Sequence, residues 1–164
     1  MINREYFTPH KTRRLVMLGV IGLTLGFIFA QSMKGGEAST SDSDAVTDIL
    51  SMVFSEDGLI GAFVLRNVRK LAHFLEYGVL GIECAVYVLS FSERKVVGGF
   101  RATVFAVMAA LIDETIQIFS GRGPMIADVW LDVLGFVTLG GCAVLAWLIV
   151  SSVRGRKIRL KESE

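Results

Sequence analysis

The chain has few cysteines and carries none of the common catalytic motifs. Its two cysteines, Cys84 and Cys142, fall within apolar segments and outside any CxxC or Cys/His spacing. The sequence therefore predicts no zinc site of that kind and no disulfide, and we expect both to be buried as small apolar side chains. It also lacks a G-x-S-x-G motif, an HExxH motif and a glycine-rich phosphate loop, which argues against the enzyme classes that these motifs define.

Long apolar runs are abundant instead. The chain has 164 residues, of which 52% are hydrophobic, whereas soluble domains reach about 45–50% even when glycine is counted. A membrane-spanning helix needs roughly 20 mostly apolar residues, and four stretches meet this requirement, namely 15–33, 71–91, 98–119 and 129–151. We predict an all-α, polytopic membrane protein with four transmembrane helices.

The distribution of Lys and Arg predicts the orientation of these spans. Basic residues concentrate before the first span, between the second and third spans, and after the fourth, which places both termini in the cytoplasm. We expect the first run to be retained as a span, because bulky Ile28 stands two residues before the candidate signal cleavage position after Ala30. The predicted organisation is a cytoplasmic tail 1–14, a membrane domain 15–151 and a basic cytoplasmic tail 152–164.

The connection 34–68 is predicted to be extracytoplasmic. Its first part is a polar linker that includes Gly35 and Gly36, and Ser41 or Ser43 could cap a helix beginning near Asp44. Apolar residues then recur at helical spacing between 46 and 64. We expect an amphipathic hairpin or broken helix on the outer leaflet, either covering the polar cluster described next or serving as a surface loop without an active role.

Ionisable and amide residues recur near the outer ends of the last three spans. At 100° per residue, three sets of residues each share one arc of a span, namely Arg69, His73, Glu76 and Tyr77 on the second, Asp113, Glu114, Gln117 and Ser120 on the third, and Asp128, Asp132 and Gly135 on the fourth. A rise of about 1.5 Å per residue puts His73, Asp113 and Asp132 within roughly 5 to 10 Å of the outer boundary. Charge at this depth is costly and marks a functional candidate. The cluster comprises Arg69, Lys70, His73, Glu76, Asp113, Glu114, Gln117, Arg122, Asp128 and Asp132.

The residue types in this cluster suggest three kinds of chemistry. An acid or base catalyst would come from His73, Glu76, Asp113 or Glu114. A divalent metal ion, the candidate cofactor, would be bound by Asp113, Glu114, Asp128 and Asp132. A phosphate would be bound by the cations Arg69, Lys70 and Arg122. The structural alternative is a set of interhelical ion pairs that fix the bundle.

Three motifs in the same region resemble a known family. The string from Arg69 to Tyr77, the string from Asp113 to Gln117 with a following Arg122, and Asp128 with Gly135 resemble the VanZ-like family of bacterial membrane proteins. The resemblance implies four membrane helices and adds Tyr77 and Gln117 to the expected substrate-binding residues. The namesake of the family is associated with resistance to the glycopeptide teicoplanin. Asp132 stands where many members carry Asn.

Two functions follow from the sequence and the resemblance. The first is binding or modulating an anionic cell-envelope lipid or peptidoglycan precursor, linked to teicoplanin resistance, at the bacterial cytoplasmic membrane. The alternative is a metal-assisted hydrolase or transferase acting on a phosphate or ester group at the outer leaflet. The expected partners are membrane lipids and a lipid-linked cell-wall precursor. The basic C-terminal tail favours anionic inner-leaflet lipid rather than nucleic acid.

Overall fold

The computed structural model describes residues 9–34, 36–55, 57–121 and 125–161. These residues form helices without strands, which confirms the all-α prediction. The helices are α1 (Pro9–Ser32), α2 (Gly36–Ser51), α3 (Leu59–Arg66), α4 (Val68–Phe91), α5 (Lys95–Phe119) and α6 (Ile126–Lys161).

Four of these helices, α1, α4, α5 and α6, are long and apolar enough to cross a membrane. They correspond to the four predicted spans, and the chain is a multi-pass membrane protein. The short connections after α4 and after α5 make α4, α5 and α6 run in alternating directions. The C-terminal ends of α1 and α5 lie at the same end of the bundle, since the Ser120 hydroxyl donates a hydrogen bond of 3.0 Å to the Ser32 carbonyl. We call this end of the bundle, which also contains the N-terminal ends of α4 and α6, the polar end.

The most extensive helix contact joins α4 to α6, and glycines permit it. A Cβ atom at Gly81 would clash with the Phe136 carbonyl of α6, and one at Gly135 would clash with the Phe74 carbonyl of α4. Small residues of this kind let two membrane helices approach until their backbones touch. Gly78 and Gly140 lie in the same contact, whereas a Cβ at Gly141 would meet open space.

The apolar core lies below the polar end, where Tyr77 and Leu80 of α4 pack with Ile28 of α1 and alanines of α5. Cys84 is buried in this core as expected, but the prediction for Cys142 is wrong, because it is exposed on α6. The described cysteines are both free thiols. Cys142 lies next to Gly141, where an added Cβ would meet open space.

The connection between α1 and α4 folds as two short helices, as predicted, but α2 begins earlier than expected. It starts at Gly36, so the predicted polar linker and the cap near Asp44 are wrong. Hydroxyl groups in this helix bond to its own carbonyls, as Thr47 does to Ser43 at 2.8 Å and Ser51 to Asp48 at 2.7 Å. Because such internal bonds satisfy the hydroxyls, a serine- and threonine-rich stretch can remain helical. Helix α2 contacts α4 at the polar end.

Candidate functional site

Three helices bring one histidine and two aspartates together inside the polar end. His73 Nδ1 of α4 lies 3.8 Å from Asp113 Oδ2 of α5 and 3.7 Å from Asp132 Oδ1 of α6. Asp113 is fully buried and Asp132 is 1% exposed. Each of the three residues stands five or six residues from the end of its helix, which explains their common depth. We call these three residues the buried triad.

The Asp113 carboxylate is held by its neighbours. Gln117, one turn further along α5, donates a hydrogen bond of 3.0 Å from Nε2 to Asp113 Oδ2, as residues four apart on a helix can. The buried Ser32 side chain at the end of α1 lies beside the same carboxylate. Ser120 donates to the carbonyls of both Ser32 and Gln117, each at 3.0 Å. Asp113 is therefore held by Gln117 of its own helix, while the Ser32 hydroxyl and Asp113 Oδ1 have no hydrogen-bond partner among the described residues.

Ser32 is a site residue that the sequence did not indicate. It is the last residue of an apolar span, where a serine is an ordinary boundary residue. The sequence signal that could have identified Ser32 is that it is polar and stands at the same end of the spans as the acidic cluster.

The triad itself is incompletely bonded. A charge-assisted hydrogen bond between nitrogen and carboxylate oxygen is normally about 2.7–2.9 Å long, shorter than either distance from His73. Among the described residues, neither His73 Nδ1 nor Asp132 Oδ1 has a hydrogen-bond partner, although both are buried. One potential ligand atom from each of the three residues lies within 4.8 Å of the other two. Among the described residues, the triad is the one group of three or more His, Cys, Asp or Glu side chains close enough together to share a metal ion.

The other two predicted metal ligands have different positions. The Glu114 carboxylate accepts a hydrogen bond from the backbone N–H of Met125, immediately before α6 begins. It therefore ties the start of α6 to α5 by satisfying a donor at a helix N-terminus. Asp128 lies in the first turn of α6, on the wall of a cavity rather than in the triad. The predicted group of four acids is thus divided among three places.

A polar cavity of about 420 Å³ opens above the triad. Its walls carry cations from α3 and α4 on one side and Asp128 of α6 on the other, with His73 and Gln117 also in the lining. The cations are Arg66, Arg69 and Lys70. The predicted phosphate ligands Arg69 and Lys70 therefore face one cavity and are joined by Arg66, whereas Arg122 lies outside the described residues.

An apolar groove of about 460 Å³ adjoins this cavity. It runs between α2 and α4, and its apolar lining includes Val46 and Leu50 from α2 and Leu71, Ala72 and Leu75 from α4. Arg69 and His73 line both the groove and the polar cavity. The two spaces therefore meet at these two side chains.

Two predicted residues lie away from the polar cavity. Glu76 is half-buried and lines the apolar groove. Tyr77, expected to bind substrate, is fully buried in the core cluster and lines neither the cavity nor the groove. Its position suits packing beneath the triad better than direct contact with a ligand.

Comparison with known proteins identifies one family. A family model described as VanZ/LLP1 matches residues 17–149, which include the second and third spans, most of the first and fourth, and the whole polar end. Neither the curated proteins nor the solved structures include a match to this chain.

Proposed function

This chain belongs to the VanZ/LLP1 family of membrane proteins, and from this premise we propose that it binds an anionic lipid of the bacterial cell envelope. The lipid is a long-chain phosphate or a lipid-linked cell-wall precursor. Its phosphate occupies the polar cavity and its hydrocarbon chain lies in the apolar groove.

The observation that carries this proposal is the junction of the two spaces at Arg69 and His73. A ligand that fills both spaces must have a polar head and an apolar tail joined at that point. Ligand pockets are usually about 300–1,000 Å³, so each space is large enough for part of such a molecule. A small soluble anion would leave the groove unused.

The charges of the polar cavity favour a phosphate head. Arg66, Arg69 and Lys70 converge on it from α3 and α4, and Arg in particular matches phosphate oxygens with paired donors. Asp128 and Gln117 on the opposite side can hydrogen-bond hydroxyl or amide groups attached to the phosphate. This second set of groups is what favours a substituted phosphate, such as a sugar-bearing or peptide-bearing precursor.

We place the polar end at the outer face of the bacterial cytoplasmic membrane, with both termini in the cytoplasm. The support is the distribution of basic residues, which concentrate at the end of the bundle opposite the polar end. Binding of a wall precursor at the outer face would change how that precursor is presented to a glycopeptide. A contribution to teicoplanin resistance is therefore part of the proposal.

Lipid binding is tested by replacing one positively charged side chain of the polar cavity. The purified protein in detergent is titrated with a long-chain polyprenyl phosphate, and binding is followed by native mass spectrometry. Arg69→Gln is expected to weaken binding about tenfold or more, since a hydrogen bond to a charged group contributes about 1.5–3 kcal/mol. The matched control is Arg101→Gln, which changes an exposed arginine on α5 far from the polar end.

The control separates a site from general attraction to charge. Equal weakening by Arg69→Gln and Arg101→Gln would indicate non-specific electrostatic binding. Unchanged binding in Arg69→Gln would contradict the proposed position of the phosphate.

A second candidate function is a metal-assisted hydrolase or transferase. It is favoured by the position of His73, which belongs to the triad and also lines the phosphate cavity. Incubation of the protein with polyprenyl phosphate and divalent metal distinguishes the two functions. Release of inorganic phosphate would support the enzyme, whereas recovery of intact lipid would favour binding alone.

A further inference from the structure

We propose that His73, Asp113 and Asp132 form a binding site for a divalent transition-metal ion. The proposal goes beyond lipid binding, because it concerns the buried triad and is tested with the metal alone. It assigns one nitrogen and two carboxylate oxygens as protein ligands.

The spacing of the triad suits a shared ion. Nitrogen and oxygen ligands of Zn²⁺ lie about 2.0–2.2 Å from the metal, so two ligand atoms on one ion are at most about 4.4 Å apart. The distances from His73 Nδ1 to Asp113 Oδ2 and Asp132 Oδ1, 3.8 and 3.7 Å, fall within this limit. They are too long for hydrogen bonds of ordinary strength. An ion bound between the three side chains would explain why these atoms lie close together without forming hydrogen bonds.

Unsatisfied buried atoms point into the same space. Asp132 is 1% exposed, and its Oδ1, the atom that faces His73, has no hydrogen-bond partner among the described residues. His73 Nδ1 is also buried and has no hydrogen-bond partner in the described part of the chain. A buried polar atom without a partner costs about 1–3 kcal/mol, and more when it is charged. Metal coordination is one of the few ways to satisfy a nitrogen and a carboxylate oxygen together.

The charge of the triad also favours a divalent cation. Asp113 and Asp132 are both buried, and within the described part of the chain the ion-pair partner of both is His73. One oxygen of each carboxylate lies within 4.8 Å of the other, so the two charges repel each other, and a single histidine neutralises at most one of them. A dication would neutralise both.

The donor set indicates the class of metal. Imidazole nitrogen favours Zn²⁺ and related transition metals, whereas sites for Mg²⁺ and Ca²⁺ use oxygen ligands alone. Gln117 would act as a positioning residue by holding Asp113 Oδ2 at 3.0 Å, as outer hydrogen bonds commonly do for metal ligands. Three protein ligands would leave one coordination position open. His73 belongs to the triad and also lines the polar cavity, so it connects the ion to that cavity. The open position would suit a water or a phosphate oxygen.

The test uses the full chain, purified without a histidine tag and stripped with a chelator. Zn²⁺ alone, and Mn²⁺ in a parallel series, is titrated against a competing chelating dye, and bound metal is counted by elemental analysis. We expect roughly one Zn²⁺ per chain, because the described residues contain one such set of three ligands. In Asp132→Asn, affinity for Zn²⁺ is expected to fall at least tenfold. Zn²⁺ should also raise the melting temperature of the unaltered protein but not that of this variant.

The matched control is Glu83→Gln, which changes a carboxylate of α4 that accepts a hydrogen bond of 2.8 Å from Thr24 and lies outside the triad. It should bind Zn²⁺ like the unaltered chain. If Asp132→Asn does not fold, His73→Gln provides the same comparison. Absence of bound metal in the unaltered protein, or equal loss in Glu83→Gln, would overturn the proposal. Binding of polyprenyl phosphate by metal-free protein would show that lipid binding stands separately.

Discussion

Replacing Gly135 with leucine is expected to lower the melting temperature of the protein by about 10 °C, because overpacking of this kind costs about 1–3 kcal/mol or more. A Cβ at Gly135 would clash with the Phe74 carbonyl of α4. That obstacle is backbone, so it cannot move by changing a rotamer, and α4 and α6 must separate. The measurement is thermal unfolding in detergent, followed by fluorescence-detected size exclusion.

Gly141→Leu is the matched control for this substitution. Gly141 lies on the same helix, but a Cβ there would meet open space. Because leucine favours a helix by several tenths of a kcal/mol over glycine, this variant should be at least as stable as the unaltered chain. Similar losses in both variants would mean that the α4–α6 contact does not determine stability.

Gly135→Leu should also disturb the buried triad. Gly135 is one turn from Asp132 on α6, and Phe74 is adjacent to His73 on α4. The glycine contact therefore sets the distance between the two helices that carry His73 and Asp132. A substitution that separates α4 from α6 would also move His73 away from Asp132.

The fold could be predicted from the sequence largely because its signals are long. Four apolar runs indicated the four spans. The start of α2 was missed because serine, threonine and aspartate also favour turns and caps. Whether such residues cap a helix or bond within one depends on contacts beyond the local sequence.

The cluster was harder to predict, since position along the sequence is a coarse guide to position in space. Asp113 and Glu114 are neighbours, but 100° separates their directions on a helix. Asp113 therefore points to His73, whereas Glu114 reaches the start of α6. Asp128 and Asp132 share a face but differ by one turn, about 6 Å along the axis. One lines the cavity wall and the other lies in the triad.

The apolar groove could not be predicted from any single helix. It exists because α2 packs beside α4, which leaves a space between Val46 and Leu50 on one side and Leu71, Ala72 and Leu75 on the other. Helical periodicity indicated an apolar face between residues 46 and 64. It did not indicate that this face encloses a space with α4 or that the space meets the polar cavity.

Filling this groove is expected to weaken binding of a long-chain lipid about a hundredfold. Ala72 lines the groove, and a tryptophan there would occupy the space proposed for the hydrocarbon chain. Exclusion of about four methylenes, at roughly 0.8 kcal/mol each, costs about 3 kcal/mol of binding free energy. The measurement compares Ala72→Trp with the unaltered protein by native mass spectrometry with a long-chain polyprenyl phosphate.

A short ligand shows whether the effect comes from the hydrocarbon chain. The phosphate of a single prenyl unit should bind Ala72→Trp and the unaltered protein equally, because its head reaches Arg69 without entering the groove. Leu111→Trp, which adds the same ring to an exposed position on the membrane-facing surface of α5, should leave binding of both ligands unchanged. Parallel losses for the short and long ligands would mean that the tryptophan displaced Arg69. Undiminished binding of the long chain would place the lipid tail elsewhere and remove the main support for an amphiphilic ligand.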